Sequence, residues 1–284
     1  NRGACAEIAI AGVDVTCEMP ASMSFADAAA LPLAGMTALQ GLRDGGKLPL
    51  EGASGRVLVV GASGGVGHLG LQLARTMGAH VTGVCSAKNV ALVRELGAHE
   101  VIDYTKENAF DGAAPFDVVL DCVAGEPSKW LPRMTAQGRY VSCLPGPQVF
   151  ARGALNITCG KKVYPVLLRP RATDLAILDR LYADGKLRAV IDSRFSLEKL
   201  ADAWIRSKSG RSVGKIVIDC VNPLGFDQQG AFVLDVEEGS AAQQAQSLLP
   251  ESTVIGAFHN VSAQLLLDTS LEKVETDVLV LGDV

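Results

Sequence analysis

The chain has 284 residues, of which 48% are hydrophobic and only 5% aromatic, and its net charge is −5. This length allows one large or two ordinary domains, and the composition is typical of an α/β protein. The longest uncharged run, residues 57–74, contains five glycines, so we expect no membrane span. We expect no nucleic-acid partner either.

The charge is unevenly distributed along the chain. From Asp219 onward there are eleven acidic residues and one basic residue, a net charge of −10, whereas the preceding residues sum to +5. This difference marks a composition boundary. The chain begins with Asn rather than Met and shows no signal peptide, which favours a fragment or a processed form.

The seven cysteines are scattered singly, and their odd number argues against a disulfide framework. No C-x-x-C pair occurs, and the four histidines lack the spacing of metal ligands, so we expect no metal site. A reducing compartment, the cytoplasm or an organelle matrix, is the simplest location.

The predicted elements alternate between strands and helices over much of the chain. A strand over residues 3–10 precedes helices over 20–30, with Ser24 as N-cap, and 35–42. Strands are then predicted over 56–60, 80–85, 100–102, 116–121 and 139–143, with helices over 65–77 and 90–96. This alternation favours a parallel, doubly wound sheet. After residue 145 the pattern weakens to helices over 175–184 and 195–205 and a strand over 215–220. The tail predicts a smaller α/β unit, with helices over 239–249 and 262–267 and strands over 253–258 and 277–281.

Residues 61–67, Gly-Ala-Ser-Gly-Gly-Val-Gly, form a glycine turn between a predicted strand and a predicted helix. Gly61 allows a tight turn, Gly64 and Gly65 let backbone N–H groups approach a ligand, and Gly67 allows close packing of helix and sheet. The positive end of the helix would face an anion, most naturally a dinucleotide pyrophosphate.

The residues after the second strand distinguish NADPH from NADH. A site for NADH places Asp or Glu there, whereas this chain has Ser86 and Lys88, which suit a 2′-phosphate. NADPH is therefore favoured. The alternative, that Lys88 is an ordinary solvated lysine at a helix start, stays open.

Several motifs together resemble one family. The glycine turn, the segments 30–40, 84–86, 96–104 and 185–188, and the closing 214–218 resemble the zinc-independent NADPH:quinone oxidoreductase branch of the medium-chain dehydrogenase/reductase superfamily. The resemblance runs from about residue 3 to residue 218. It implies a Rossmann-like domain that transfers hydride from NADPH to a quinone or an α,β-unsaturated carbonyl without catalytic zinc, and a possible homodimer.

The resemblance also implies which residues contact the cofactor. They are Gly61, Ser63, Gly64, Gly65, Val66, Gly67, Ser86, Lys88, Tyr104, Cys122 and Cys143. Ser63, Gly65 and Val66 would contact the pyrophosphate, Ser86, Lys88 and Tyr104 the 2′-phosphate end, and the two cysteines the nicotinamide side. Alternatively, Tyr104 caps a strand and the cysteines are small core residues. Thr37 would orient the nicotinamide, although a threonine inside an apolar helix more often bonds to the preceding turn.

The chain departs from that family at both ends. Most of the front half of the family's GroES-like substrate domain has no counterpart, which leaves only remnants of that β domain. The tail, in segments such as 217–225 and 257–263, resembles NADPH-dependent deazaflavin (coenzyme F-420) reductases, and His259 and Asn260 lie in the matched motif. His259 either faces a cofactor or, as the sequence favours, is a strand-end histidine bonded to backbone. It lacks a glycine loop of its own, so we interpret the chain as a chimera joined at the strand around residues 214–219.

We therefore expect four regions: residues 1–22 as the end of the substrate domain, 23–150 as the Rossmann core, 151–218 as its remainder, and 219–284 as a partial second Rossmann-like unit. Two alternatives to quinone or enone reduction stay open. One is a non-catalytic NADP-binding or interaction module, and the other is deazaflavin–NADP hydride exchange through the tail.

Overall fold

The computed structural model describes residues 13–106, 114–156, 161–196, 199–219, 224–227 and 230–233. The chain divides into two compact units. Ser22–Asp192 and Ser212–Lys215 form the first, and the second takes the described residues of Asn1–Ala21, Ser193–Arg211 and Ile216–Val284. The strand predicted over 3–10 and the tail elements predicted from residue 239 onward lie outside the described residues.

The first unit is built on a six-stranded parallel sheet of order β3-β2-β1-β4-β5-β6. Its strands are β1 Arg56–Val60, β2 His80–Cys85, β3 Glu100–Asp103, β4 Phe116–Asp121, β5 Met134–Ser142 and β6 Lys162–Pro165. Val57 of β1 is level with Val81 on one side and Val118 on the other. The predicted α/β class with a doubly wound, Rossmann-like parallel sheet is confirmed.

Seven helices are described in this unit: α1 Phe25–Ala30, α2 Pro32–Gln40, α3 Gly67–Met77, α4 Val90–Glu95, α5 Pro127–Trp130, α6 Pro147–Ala154 and α7 Ala172–Ala183. The predicted cap of α1 is present, since the Asp27 N–H donates to Ser24 Oγ at 3.2 Å and the Ser24 hydroxyl donates to the Asp27 carboxylate at 2.7 Å. A π-helical turn over Gly41–Gly45 follows α2.

The core of the first unit lies at the middle of the sheet. Leu58, Phe116, Val119, Trp130 and Tyr140 are among the buried residues of one cluster. Strand β1 is buried along almost its whole length, because strands of a parallel sheet are covered on both faces. This explains why β1 reads as a continuous apolar run rather than an alternating one.

Strands β7, Ile191–Ser196, and β8, Lys215–Asp219, form a short sheet of their own, and all but their first residues belong to the second unit. Helix α8, Leu200–Lys208, belongs to the same unit. An antiparallel hairpin pairs β9, Leu224–Asp227, with β10, Gly230–Val233. The predicted helix over 195–205 is wrong at its start, because Phe195 belongs to β7, where pairing with β8 overrides the local pattern. Strand β6 and the hairpin were not predicted.

Candidate cofactor site

The strand order reverses between β1 and β4, since the chain first adds strands on one side of β1 and then on the other. In open parallel sheets, ligands bind beyond the carboxyl ends of the strands at this switch point. Gly61 follows β1 and Cys122 follows β4, and the Cys122 N–H donates to the Val60 carbonyl at 3.1 Å. The topology thus places the glycine turn and Cys122 side by side at this edge, which we call the carboxyl edge.

The glycines of the turn meet steric demands that other residues could not. Gly61 has a φ of +74°, and a Cβ there would collide with Val123. A Cβ on Gly67 would overlap the Gly61 carbonyl oxygen, so helix α3 can start this close to the strand only with glycine. The Gly64 N–H closes the turn by donating to the Gly61 carbonyl at 2.9 Å.

Helix α3 presents its amino end at the carboxyl edge. Val66 is its N-cap residue and makes no side-chain capping hydrogen bond. The backbone N–H groups of a first helical turn lack partners within the helix and carry the positive end of its dipole. This end of α3 can therefore donate to a phosphate oxygen without displacing a capping side chain.

A buried histidine supports the turn from behind. The Val190 N–H donates to His68 Nε2 at 3.1 Å, so the other ring nitrogen carries the proton, and Nδ1 donates to the Gly64 carbonyl at 2.9 Å. Burial lowers the pKa of His68 to about 4, which keeps the ring neutral near pH 7. Gln72, one helical turn on, bonds both the N–H and the carbonyl of Arg188 at 3.0 Å.

A lysine of the returning segment lies alongside the turn. The Gly214 N–H donates to the Ser63 carbonyl at 2.8 Å, which holds the next residue, Lys215, beside Gly65. A Cβ added to Gly65 would lie 3.3 Å from Lys215 Cδ. Burial lowers the pKa of Lys215, as expected for an ammonium partly withdrawn from water. A negative ligand at the turn would place a counter-charge close to this ammonium.

Asn89 joins the turn to the end of β2. Its side-chain amide donates to Ser63 Oγ at 2.9 Å and to Ser86 Oγ at 3.5 Å. Lys88 is exposed on the segment between these residues, and Tyr104, which follows β3, leaves 59% of its surface exposed. The Tyr104 N–H donates to the Cys85 carbonyl at 3.1 Å, so Ser86, Lys88 and Tyr104 all follow strand ends at the same carboxyl edge.

The two predicted cysteines are neighbours. Cys122 and Cys143 follow β4 and β5, and their Sγ atoms are 3.9 Å apart, with the Cys122 S–H donating to the Cys143 sulfur. The pKa of the Cys122 thiol is raised well above its usual value by this hydrogen bond and by burial. Both residues are half-buried, so they border the site rather than filling the core.

A buried tyrosine and carboxylate fix the loop after β4. The Tyr140 hydroxyl donates to the Asp121 carboxylate at 2.7 Å, and the Val123 N–H donates to the same carboxylate at 2.9 Å. Burial, together with the Asp121 charge, raises the pKa of Tyr140. Because Val123 packs against Gly61, this pair also sets the position of the glycine turn.

Comparison with known proteins identifies the family. The family model described as zinc-binding dehydrogenase matches residues 96–218. A chloroplast envelope quinone oxidoreductase homolog of Arabidopsis thaliana is 41% identical over 226 residues, which cover 76% of this chain and 69% of the relative. The chain belongs to the quinone oxidoreductase family of the medium-chain dehydrogenase/reductase superfamily.

Other members of this superfamily agree with that assignment. A human mitochondrial NAD(P)H oxidoreductase is 31% identical over 247 residues, covering 78% of this chain and 62% of the relative. The solved quinone oxidoreductase of Coxiella burnetii superposes with a TM-score of 0.64 at 30% identity, covering 71% of this chain and 63% of that one. The chain thus spans less than two thirds of the length of these two relatives.

Thr37 differs from the other predicted site residues of this quinone oxidoreductase family member in its burial and its hydrogen bonding. It is almost fully buried in α2, and its hydroxyl donates to the Leu33 carbonyl, one turn earlier, at 2.6 Å. This is the backbone-bonded alternative named for it above. Its hydroxyl oxygen keeps acceptor capacity only.

Four residues of the site were missed by sequence reasoning: His68, Gln72, Asn89 and Lys215. Each owes its place to a contact between distant parts of the chain or between loops. The signals that could have found them are a histidine and a glutamine four residues apart in an otherwise apolar helix, and a lysine directly after the glycine of the closing motif.

Two further observations concern metal sites and membrane-spanning helices. Among the described residues, no three His, Cys, Asp or Glu side chains are grouped so that they could hold a metal ion. Within the same part of the chain, no helix has the length and apolar character needed to cross a membrane. His259 and Asn260, and the resemblance of the tail to deazaflavin reductases, fall on residues outside the described ranges and stay predictions.

Proposed function

We propose that the protein is an NADPH-dependent oxidoreductase that transfers hydride to a quinone or an α,β-unsaturated carbonyl without catalytic zinc. The observation that carries the proposal is the glycine turn at the sheet's switch point, against the uncapped amino end of α3. The named relatives, quinone oxidoreductases and NAD(P)H oxidoreductases, support both the cofactor class and the reaction class. A plant relative named 2-methylene-furan-3-one reductase, 36% identical over 204 residues, supports the enone alternative.

The residues present fit a dinucleotide. Gly64 and Gly65 leave a surface free of side chains against which a pyrophosphate can lie. The His68 N–H already donates to the Gly64 carbonyl at 3.0 Å, so the N–H groups before it, of Gly65, Val66 and Gly67, would donate to the pyrophosphate oxygens. Lys215, held beside Gly65, would neutralise part of the charge. His68 fixes the carbonyl of Gly64 away from the anion, because its Nδ1–H occupies that oxygen.

The preference for NADPH over NADH rests on the end of β2. Ser86 and the exposed Lys88 offer a hydroxyl and an ammonium where a carboxylate would serve NADH. Tyr104 is exposed at the neighbouring strand end and would border the adenosine. One carboxylate is close: Asp103, at the end of β3, accepts hydrogen bonds from the Thr105 N–H and hydroxyl, and a backbone hydrogen bond from Ala87 also acts on it.

The nicotinamide would lie beyond the ends of β4 and β5 and supplies the hydride when bound. On this side Cys122 and Cys143 would border the ring, while the Asp121–Tyr140 pair holds the loop that carries Val123. No acid–base pair is required of the protein, because the proton that completes the reduction can come from solvent. Absence of zinc from the reaction remains part of the proposal.

Turnover of NADPH with a simple quinone tests the reaction, and the variant Lys88→Glu tests the cofactor assignment. We expect Lys88→Glu to weaken NADPH by about tenfold or more while NADH changes by less than about twofold, because only NADPH carries the 2′-phosphate. Lys186→Glu is the matched control, because it makes the same charge reversal at an exposed residue near Thr76 and Met77, at the opposite end of α3. Equal losses for both cofactors would remove the 2′-phosphate assignment.

The competing proposal is a nucleotide-binding module without catalysis. It is favoured by one observation: the described residues assigned to the carboxyl edge are all given to the cofactor, and none is given to a substrate. It predicts a fluorescence change on mixing with NADPH but no oxidation of NADPH by any quinone or enone. Measured turnover that depends on protein concentration excludes it.

A further inference from the structure

The two cysteines at the carboxyl edge have the geometry of a redox pair. Asp121 of β4 is level with Ser142 of β5, so the residues that follow, Cys122 and Cys143, are also level and point to the same side. Neighbouring strands run about 4.8 Å apart. This spacing lies inside the range of roughly 4.4–6.8 Å between the Cα atoms of disulfide-bonded cysteines.

Little movement is needed to join the sulfurs. They are 3.9 Å apart and already share a hydrogen bond. A disulfide bond is about 2.05 Å long, so side-chain rotation alone must bring the sulfurs roughly 2 Å closer. The backbone at both residues is held by hydrogen bonds to the adjacent strands, from the Cys122 N–H to Val60 and from the Cys143 N–H to Asp121.

We propose that Cys122 and Cys143 form a reversible disulfide that weakens cofactor binding and so regulates the enzyme. This inference rests on the cofactor site proposed above. The oxidant is a low-molecular-weight disulfide of the glutathione class. The Cys143 sulfur, which accepts the Cys122 S–H, attacks one sulfur of the small disulfide, whose S–S bond breaks to release one small thiol. Cys122 then attacks the sulfur of Cys143 and releases the second small thiol. Two protein S–H groups are lost and two small thiols form, so electrons and protons balance.

The other described cysteines are poor candidates for the same chemistry. Cys85 is buried, with only 2% of its surface exposed, so a small disulfide cannot reach its thiol as it can the half-buried Cys122 and Cys143. Cys17 is exposed and is not part of the hydrogen-bonded pair. Selectivity therefore comes from the pairing of Cys122 with Cys143.

The disulfide would affect cofactor binding because Cys122 lies next to the glycine turn. Cys122 borders the turn, since a Cβ on Gly61 would lie 3.9 Å from the Cys122 Cβ. Drawing the Cys122 sulfur toward β5 removes an S–H group from the nicotinamide side. Because binding linkage is reciprocal, bound NADPH must disfavour the disulfide by the same factor by which the disulfide weakens NADPH.

The test uses the full chain, equilibrated in mixtures of reduced and oxidised glutathione and digested with trypsin. Cleavage after Lys106, Lys129, Arg139 and Arg152 leaves Cys122 alone in peptide 107–129 and Cys143 alone in peptide 140–152. We expect these two peptides to be linked in oxidised samples and released by dithiothreitol. Each tenfold loss of NADPH affinity should raise the midpoint potential measured with bound NADPH by about 30 mV.

Variants separate the pair from other thiols. Cys122→Ser and Cys143→Ser should each abolish the linked peptide and, relative to its own reduced sample, lose no NADPH affinity on oxidation, whereas Cys17→Ser should behave as the parent. Absence of the linked peptide, or a linked protein that binds NADPH as tightly as the reduced one, overturns the proposal. If the reduced protein binds no NADPH, the proposed function is contradicted instead. The presence or absence of the linked peptide then shows whether the disulfide forms.

Discussion

The imidazole of His68 links two parts of the chain that are 122 residues apart, donating from Nδ1 to the Gly64 carbonyl at 2.9 Å and accepting at Nε2 from the Val190 N–H at 3.1 Å. A neutral ring is required, because an imidazolium would point a second N–H at the Val190 N–H. The glycine turn and the 188–190 segment are therefore both bonded to one uncharged side chain.

This arrangement predicts acid sensitivity. The folded-state pKa of about 4 lies below the unfolded value of about 6.5, so the unfolded chain binds an extra proton between these values. Stability is consequently full above about pH 6.5 and is lost as the pH falls toward 4, by up to about 3 kcal/mol. Urea unfolding at pH 7.5 and 5.0 measures the difference.

His68→Gln provides the control for that measurement. The variant is expected to be less stable at pH 7.5, because glutamine does not reproduce both bonds, yet it should lose less stability than the parent between pH 7.5 and 5.0. Carboxylates titrate equally in both proteins, so the difference between the two slopes isolates His68. Parallel slopes would contradict a neutral, buried ring.

The close approach of α3 to β1 predicts that Gly67→Ala is damaging. Its Cβ would meet a backbone carbonyl, that of Gly61, which cannot move aside as a side-chain end can. We expect a loss of about 2 kcal/mol in the free energy of unfolding and at least about a tenfold weakening of NADPH. Gly146→Ala, where nothing lies within 4 Å of the added methyl group, should change stability by less than about 1 kcal/mol and leave NADPH binding unchanged.

Strands β1, β2 and β4 could be predicted to the residue from the sequence, because each is a short apolar run closed by a turn and buried on both faces. The glycine turn followed from its position between strand and helix. In contrast, β6 has only four residues and ends in Pro165, so it carries little local signal.

The supporting side chains of the site could not be predicted for a different reason. His68 and Gln72 read as ordinary members of an apolar helix, and their partners Val190 and Arg188 lie more than a hundred residues away. Asn89 is joined to Ser63 by a contact between two loops. Such contacts depend on tertiary packing, for which neither spacing nor periodicity gives a signal.

The buried pair of Tyr140 and Asp121 predicts a marked effect of Tyr140→Phe. Removing the hydroxyl takes a 2.7 Å hydrogen bond from a carboxylate that is fully buried. We expect a loss of about 1–3 kcal/mol in the free energy of unfolding, measured in urea. Tyr164→Phe is the matched control, because the Tyr164 hydroxyl accepts from Arg139 at 2.7 Å in a half-buried place and should cost less than about 1 kcal/mol. Equal costs would mean that Asp121 finds another donor.

Replacing Lys215 should change cofactor affinity in a different way from replacing Lys88. Its stem lies beside Gly65, where the pyrophosphate common to both cofactors would bind, so Lys215→Met should weaken NADPH and NADH by the same factor, about tenfold. Because burial already lowers the pKa of this ammonium, its replacement by an apolar side chain of similar length should not reduce stability. Fluorescence titration with each cofactor, beside urea unfolding, measures both quantities. A loss confined to NADPH would move Lys215 to the 2′-phosphate end, and unchanged affinity for both cofactors would remove it from the site.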